Sequence, residues 1–200
     1  MTLVVAHRGA SHELPENTLP AFERAIELGA DFVELDVHAG AEGALVVCHD
    51  PPEPGRAYPP LDEVLDLTRG RIGAMVELKA PYRYRRHDVV ARVTGLLGDE
   101  DVLVSFEAAA LRDAHRLRPS LRVLQHVGYG VSIRAAAGYA WGAGFDDARL
   151  TDRGLGRARA LGLATAVYTV NDPARMRELV GLGVDAVITD RPDLLRAIVP

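Results

Sequence analysis

The sequence has one cysteine, Cys48, in 200 residues, so no internal disulfide can form and a reduced, cytoplasmic setting is expected. It has no apolar run near the ~18 residues that a membrane helix requires and no charged-then-apolar leader, so neither a span nor a signal peptide is expected. It has no excess of positive charge: 23 basic residues against 28 acidic ones give −5, which argues against nucleic acid as a partner and offers no polybasic membrane anchor. No G-x-G-x-x-G follows the first apolar run, which removes the main support for a dinucleotide-binding open sheet. A G-x-S-x-G elbow is also absent, and with it the usual serine nucleophile.

What the chain does have is punctuation. Its 19 glycines and 12 prolines imply many short elements joined by tight turns. A self-comparison aligns Leu28-Gly29-Ala30-Asp31-Phe32-Val33-Glu34-Leu35-Asp36 with Leu182-Gly183-Val184-Asp185-Ala186-Val187-Ile188-Thr189-Asp190. Before the first copy, Leu19, Phe22 and Ile26 have helical spacing, and before the second Met176, Leu179 and Val180 do likewise. Thr151 to Leu161, Gly162 and Ala164 to Val170 repeat the same order of helix, glycine and strand. Apolar runs predict strands near residues 3–6, 32–37, 44–48, 75–79, 102–106, 122–127, 145–150, 164–170 and 185–189. Strands alternating with helices predict parallel pairing, and their number favours an α/β fold closed as an eight-stranded barrel over an open sheet. The Pro51 to Pro60 stretch is too short to separate domains, so residues 1–200 are expected to form one.

Strand parity locates the chemistry. Residues two apart face the same side, so Glu34 and Asp36 share one face while Val33, Leu35 and Val37 share the other. In a barrel the aliphatic face meets the helices and the acids point inward, near the C-terminal strand ends. In Met75-Val76-Glu77-Leu78-Lys79 the same parity sends Glu77 and Lys79 inward. Three confined carboxylates raise one another's pKa or recruit a cation, and an oxygen-only set suits Mg²⁺, Ca²⁺ or Mn²⁺ rather than zinc. His7 and His49 each end an apolar run, which puts them beside the acids as a candidate general acid and general base. Arg8 supplies a planar cation for phosphate oxygens, and Lys79 a second. Together these groups suit hydrolysis of a phosphate ester. His12, His38, His87, His115 and His126 are expected to be structural or at the surface. Parity turns Cys48 away from His49.

The motif series resembles the glycerophosphodiester phosphodiesterase family. It reads Ala6-His7-Arg8-Gly9, Pro15-Glu16-Asn17-Thr18, Gly29-Ala30-Asp31, Glu34-Leu35-Asp36 and His49-Asp50, five motifs in order within the first fifty residues. Further matches are Glu77-Leu78-Lys79, Ser105-Phe106, Tyr168-Thr169-Val170-Asn171-Asp172 and Gly183-Val184-Asp185 leading to Thr189-Asp190-Arg191-Pro192. The resemblance implies a compact TIM-type (β/α)8 barrel that cleaves glycerophosphodiesters into glycerol 3-phosphate and an alcohol with one divalent cation, Mg²⁺ or Ca²⁺. It implies Glu34, Asp36 and Glu77 as metal ligands, His7 and His49 as the acid/base pair, and Arg8 and Lys79 as phosphate-facing cations. Asn17 or Thr18 is expected to cap the first helix, with the surrounding segment supporting the site from behind.

Three departures from the family pattern stand out. Gly40-Ala41-Glu42-Gly43 replaces Thr-x-Asp-Gly, Tyr168 stands where a tryptophan is common and is expected to line the substrate site, and the segment after His49-Asp50 reads as a trimmed or absent cap. Two other readings compete: the same scaffold acting on lysophospholipids or another phosphodiester, and a non-catalytic barrel that binds a phosphorylated ligand.

Overall fold

The computed structural model describes residues 1–199. Its strands are β1 (Leu3–His7), β2 (Phe32–Ala39), β3 (Leu45–Val47), β4 (Gly73–Leu78), β5 (Val102–Ser105), β6 (Arg122–His126), β7 (Gly142–Asp146), β8 (Ala164–Tyr168) and β9 (Ala186–Thr189). The helices are α1 (Leu19–Glu27), α2 (Leu61–Thr68), α3 (Val89–Leu96), α4 (Ala108–Leu117), α5 (Ile133–Ala136), α6 (Asp152–Ala160), α7 (Pro173–Gly181) and α8 (Pro192–Arg196). Parallel neighbours run β1-β2-β4-β5-β6-β7-β8-β9 and return to β1, which closes an eight-stranded barrel. β3 is outside the ring, paired antiparallel to the end of β2 through Val37–Val47, His38–Val46 and Ala39–Leu45. No described helix is long and apolar enough to cross a membrane.

The expected alternation holds around the barrel. Val33, Leu35 and Val37 of β2 and Val76 and Leu78 of β4 face outward and are buried with Phe22, Leu61 and Val64 of the helices. Val5, Phe32, Met75, Val104, Leu124 and Ile188 fill the interior. Burying one such side chain is worth roughly 1.5–3 kcal/mol, so a one-residue slip of any strand would turn this set out and send charges into the helix layer.

Each of the two aligned repeats turns on its glycine. Gly29 and Gly183 have φ of 74° and 72°, a left-handed turn that ends α1 and α7 and starts the next strand. Asp31 and Asp185 then reach back to the strand before. Asp31 accepts from the Val4 N–H at 2.7 Å, and Asp185 from the Thr165 N–H at 2.7 Å. Asp101, just before β5, does the same for the Ala74 N–H at 2.9 Å.

One strand departs from its predicted range. The strand β7 was expected at 145–150 and lies at Gly142–Asp146, because two inward glycines dilute its apolar signal. Asp147–Arg149 instead forms a short 3-10 turn, with the Asp146 carboxylate accepting from the Ala148 N–H. Gly144 is required where it stands: a Cβ there would lie 2.4 Å from Nδ1 of His126 on the neighbouring strand. After β3, Pro51 to Pro60 runs as a loop into α2, and among the described residues no folded cap intervenes.

Candidate active site

At the C-terminal end of the barrel, parity brings together side chains from five strands. Glu34 and Asp36 of β2 and Glu77 of β4 all point inward and are buried, each with a carboxylate oxygen within 4.8 Å of the others. Lys79, just past β4, places Nζ 2.9 Å from both Asp36 Oδ1 and Glu77 Oε1. Arg8 follows β1 in a left-handed conformation, with Nε 3.1 Å from Asp36 Oδ2. Its Nη1 donates to both oxygens of Glu16, and its backbone N–H donates to Glu34 Oε2 at 3.1 Å.

The electrostatics follow from this crowding. Burial first, and the Asp36 charge second, push the Glu34 carboxyl up to about 8. Glu77 is raised by burial too, against the pull of Lys79. Burial also opposes ionisation of Asp36, but Lys79, Arg8 and the Asn17 hydrogen bond outweigh it and hold Asp36 below the ordinary value. Burial likewise disfavours the Lys79 cation, and Glu77 and Asp36 more than restore it.

The residues fit a divalent cation. Three carboxylates face two cations, one of which is shared with Glu16. The donor set is all oxygen, and buried Asp36 Oδ1 has no aligned hydrogen bond although Lys79 lies beside it.

His7 ends β1 with Nδ1 2.6 Å from Asp190 Oδ1 and Nε2 4.0 Å from Glu34 Oε2. Ionised Asp190 accepts the proton on Nδ1, which leaves Nε2 facing the acids. Burial lowers the His7 pKa, but the Asp190 hydrogen bond and the Glu34 charge outweigh it and raise the group above its ordinary value. Asp190 is opposed by burial and favoured more strongly by His7, Asn171 and Ser11, which bring it down to about 2. Asn171 donates to Asp190 Oδ2 at 2.6 Å, and Ser11 donates to Oδ1 at 3.1 Å.

His49 lies on the loop after β3, its Nδ1 3.1 Å from Asp50 Oδ1. That loop is fixed to β2 by the Cys48 N–H donating to the Asp36 carbonyl at 3.0 Å and by His38. His38 Nε2 donates to the His49 carbonyl, and its Nδ1 accepts from the Tyr84 hydroxyl, each at 3.0 Å. His49 and Asn17 line one cavity of about 200 Å³. Asn17 donates to Asp36 Oδ2 at 2.9 Å, whereas Thr18 is the helix cap, accepting from the Ala21 N–H. Cys48 is buried, which pushes its thiol up to about 11. That makes it a poor nucleophile.

Two residues at the opposite wall complete the site. Tyr168 ends β8 with its ring centroid 4.2 Å from that of His126, and its buried hydroxyl has no hydrogen-bond partner among the described residues. His126, expected to be structural or at the surface, is buried at the end of β6, with Nε2 3.9 Å from Glu77 Oε2. Burial, and then the Lys79 charge, push it down to about 3, so the ring is neutral. The sequence signal for this placement is the shared parity of Leu124 and His126 in one strand; unlike His7 and His49, His126 is followed by an apolar residue, Val127. Asp190, in the Thr189-Asp190-Arg191-Pro192 motif, is a second site residue without an expected role, although the internal repeat aligns it with Asp36.

Known proteins resemble this chain in sequence and in fold. The model of the Glycerophosphoryl diester phosphodiesterase family matches residues 7–70 and 57–194. The glycerophosphodiester phosphodiesterase of Bacillus subtilis is 30% identical over a 251-residue alignment that covers 98% of this chain and 86% of that protein. The crystal structure of a glycerophosphodiester phosphodiesterase from Parabacteroides distasonis superposes with a TM-score of 0.85 at 27% identity, covering 98% of this chain and 96% of that one. A glycerophosphodiester phosphodiesterase from Agrobacterium tumefaciens gives 0.83 at 28%, covering 98% and 100%. The chain therefore belongs to the glycerophosphoryl diester phosphodiesterase family of TIM-barrel enzymes.

Proposed function

We propose that the chain hydrolyses glycerophosphodiesters to glycerol 3-phosphate and an alcohol, with Glu34, Asp36 and Glu77 holding one divalent cation, Mg²⁺ or Ca²⁺. The observation that carries this reading is the buried carboxylate trio with His7 beside it, and with His49 held on the loop after β3 by His38. A bound cation would offset negative charge on the phosphate as the transition state forms. Arg8 and Lys79 hold the phosphate oxygens by charge, and Tyr168 lines the side that receives the rest of the substrate. One of His7 and His49 takes the proton from the attacking water and the other returns one to the leaving alkoxide, so the step is balanced without a covalent intermediate.

The test is release of glycerol 3-phosphate from a panel of glycerophosphodiesters and their acylated counterparts, before and after chelation. Turnover that stops with chelator and returns with Mg²⁺ or Ca²⁺ is expected, and turnover that survives rigorous chelation overturns the metal assignment. Preference for acylated substrates would replace the reading with a lysophospholipid one. Glu34→Gln and His49→Ala should each lower kcat by at least ~10²-fold, the usual scale of an acid/base contribution.

A further inference from the structure

The wall formed by β6, β7 and β8 holds a histidine that the proposed reaction does not use. His126 is buried at the C-terminal end of β6, its ring centroid 4.4 Å from that of Phe106 and 4.2 Å from that of Tyr168. Gly144 leaves room for it: a Cβ there would lie 2.4 Å from Nδ1. The ring is thus clamped, with Nδ1 turned toward β7 and Nε2 toward Glu77.

Nδ1 is buried and has no partner among the described residues. If the proton sat on Nδ1, a buried donor would be left without a protein acceptor. The structure therefore favours the tautomer with the proton on Nε2, aimed into the site.

The Nε2 to Glu77 Oε2 separation is 3.9 Å, too long for a direct hydrogen bond. It is short enough for a single oxygen to bridge the two, since hydrogen bonds of about 2.8 Å on each side span up to about 5.6 Å. The bridging atom must accept from Nε2–H and donate to a carboxylate oxygen. A phosphoryl oxygen cannot donate, whereas a hydroxyl does both.

We infer that His126 is a specificity-determining residue that, with Glu77, binds an alcohol hydroxyl of the substrate next to its phosphate. This inference rests on the reading of the site as a glycerophosphodiester site and adds the residue that recognises the hydroxyl-bearing arm. The neutral donor sits across the barrel from His7, so it orients the substrate without exchanging protons.

The experiment is calorimetric binding, with Mg²⁺ present, of glycerol 3-phosphate and of 3-hydroxypropyl phosphate, which lacks the hydroxyl next to the phosphate-bearing carbon. It is run on the wild-type protein, His126→Phe and His126→Gln. Phenylalanine keeps the ring packed between Phe106 and Tyr168 but cannot donate, and glutamine restores a donor. Wild type should prefer glycerol 3-phosphate by roughly tenfold, the ratio equivalent to one hydrogen bond of about 1.4 kcal/mol. His126→Phe should abolish that preference without weakening 3-hydroxypropyl phosphate, His126→Gln should recover part of it, and the pH profile of kcat should keep its shape in His126→Phe. Equal weakening of both ligands would assign His126 to packing and overturn the inference, as would an undiminished preference in His126→Phe. Failure of the reading it rests on is separable, because that would appear as absent turnover of glycerophosphodiesters by the wild-type protein.

Discussion

Asp190 governs the side chain that ends β1. Its carboxylate fixes the Nδ1 proton of His7 at 2.6 Å and raises that imidazole's pKa, while His7 in turn helps depress Asp190 to about 2. The sign of each shift defines a window. The raised histidine contributes stability below its ordinary value of 6.5 and loses it as pH climbs through the folded value. The depressed aspartate contributes above its ordinary 3.8 and loses its contribution as pH falls through about 2. The pair therefore stabilises most between 3.8 and 6.5. Asp190→Asn should lower the His7 pKa and release the ring's orientation, so the limb of the kcat profile that His7 controls shifts to lower pH and kcat falls about tenfold or more. A histidine resonance that titrates unchanged in the variant, followed by NMR, would refute the coupling. At this scale Glu34, Asp36, Glu77 and Lys79 were readable from parity, which needs only sequence spacing. Asn17 on Asp36 and His38 on the His49 carbonyl were not, because those contacts join loops whose paths depend on the closed barrel.

Among the elements, β7 is the one whose sequence hides its place. Eight of the nine strands announce themselves as apolar runs, because each carries large aliphatics on at least one face. In β7 two of the inward positions are Gly142 and Gly144, and the space a side chain would need there is taken by neighbouring strands, above all by His126 at Gly144. An absent side chain is the imprint of a large one on the next strand, a relation between strands that a reading along one segment cannot register. Gly144→Ala should make this visible: the added methyl meets the His126 ring, and the cost of overpacking is about 1–3 kcal/mol, or a fall of about 2–10 °C in Tm for a chain of this size. His126→Ala in the same background should recover part of that loss. Additive losses in thermal unfolding of the double variant would show that the two sites do not press on each other.

Over the whole molecule the two ends of the barrel carry different duties. At the N-terminal end, Asp31, Asp101 and Asp185 each accept the N–H at the start of the preceding strand and tie consecutive strands together before chemistry is involved. At the C-terminal end, Glu34 stays buried beside Asp36 and Glu77, where like charges oppose one another. The barrel thus places its cost and its support at opposite ends, as expected of a fold whose sites sit above the strand C-termini. Asp101 is the sharpest probe of the supporting end, because it is buried and accepts both the Ala74 N–H at 2.9 Å and the Gly98 N–H at 2.7 Å. Asp101→Ala leaves two donors unpaired and should cost about 2–4 kcal/mol, lowering Tm by roughly 5–15 °C while kcat measured well below the transition is unchanged. Glu34→Gln should do the reverse. A carboxyl whose pKa is raised to about 8 is destabilised as an anion by the folded state, so near neutral pH a neutral amide in its place should hold or raise Tm in the cation-free protein while turnover is lost. Thermal unfolding and kcat measured together on the two variants decide the matter: a Tm fall in Glu34→Gln matched by lost turnover in Asp101→Ala would mean that stability and chemistry are not divided between the barrel's ends.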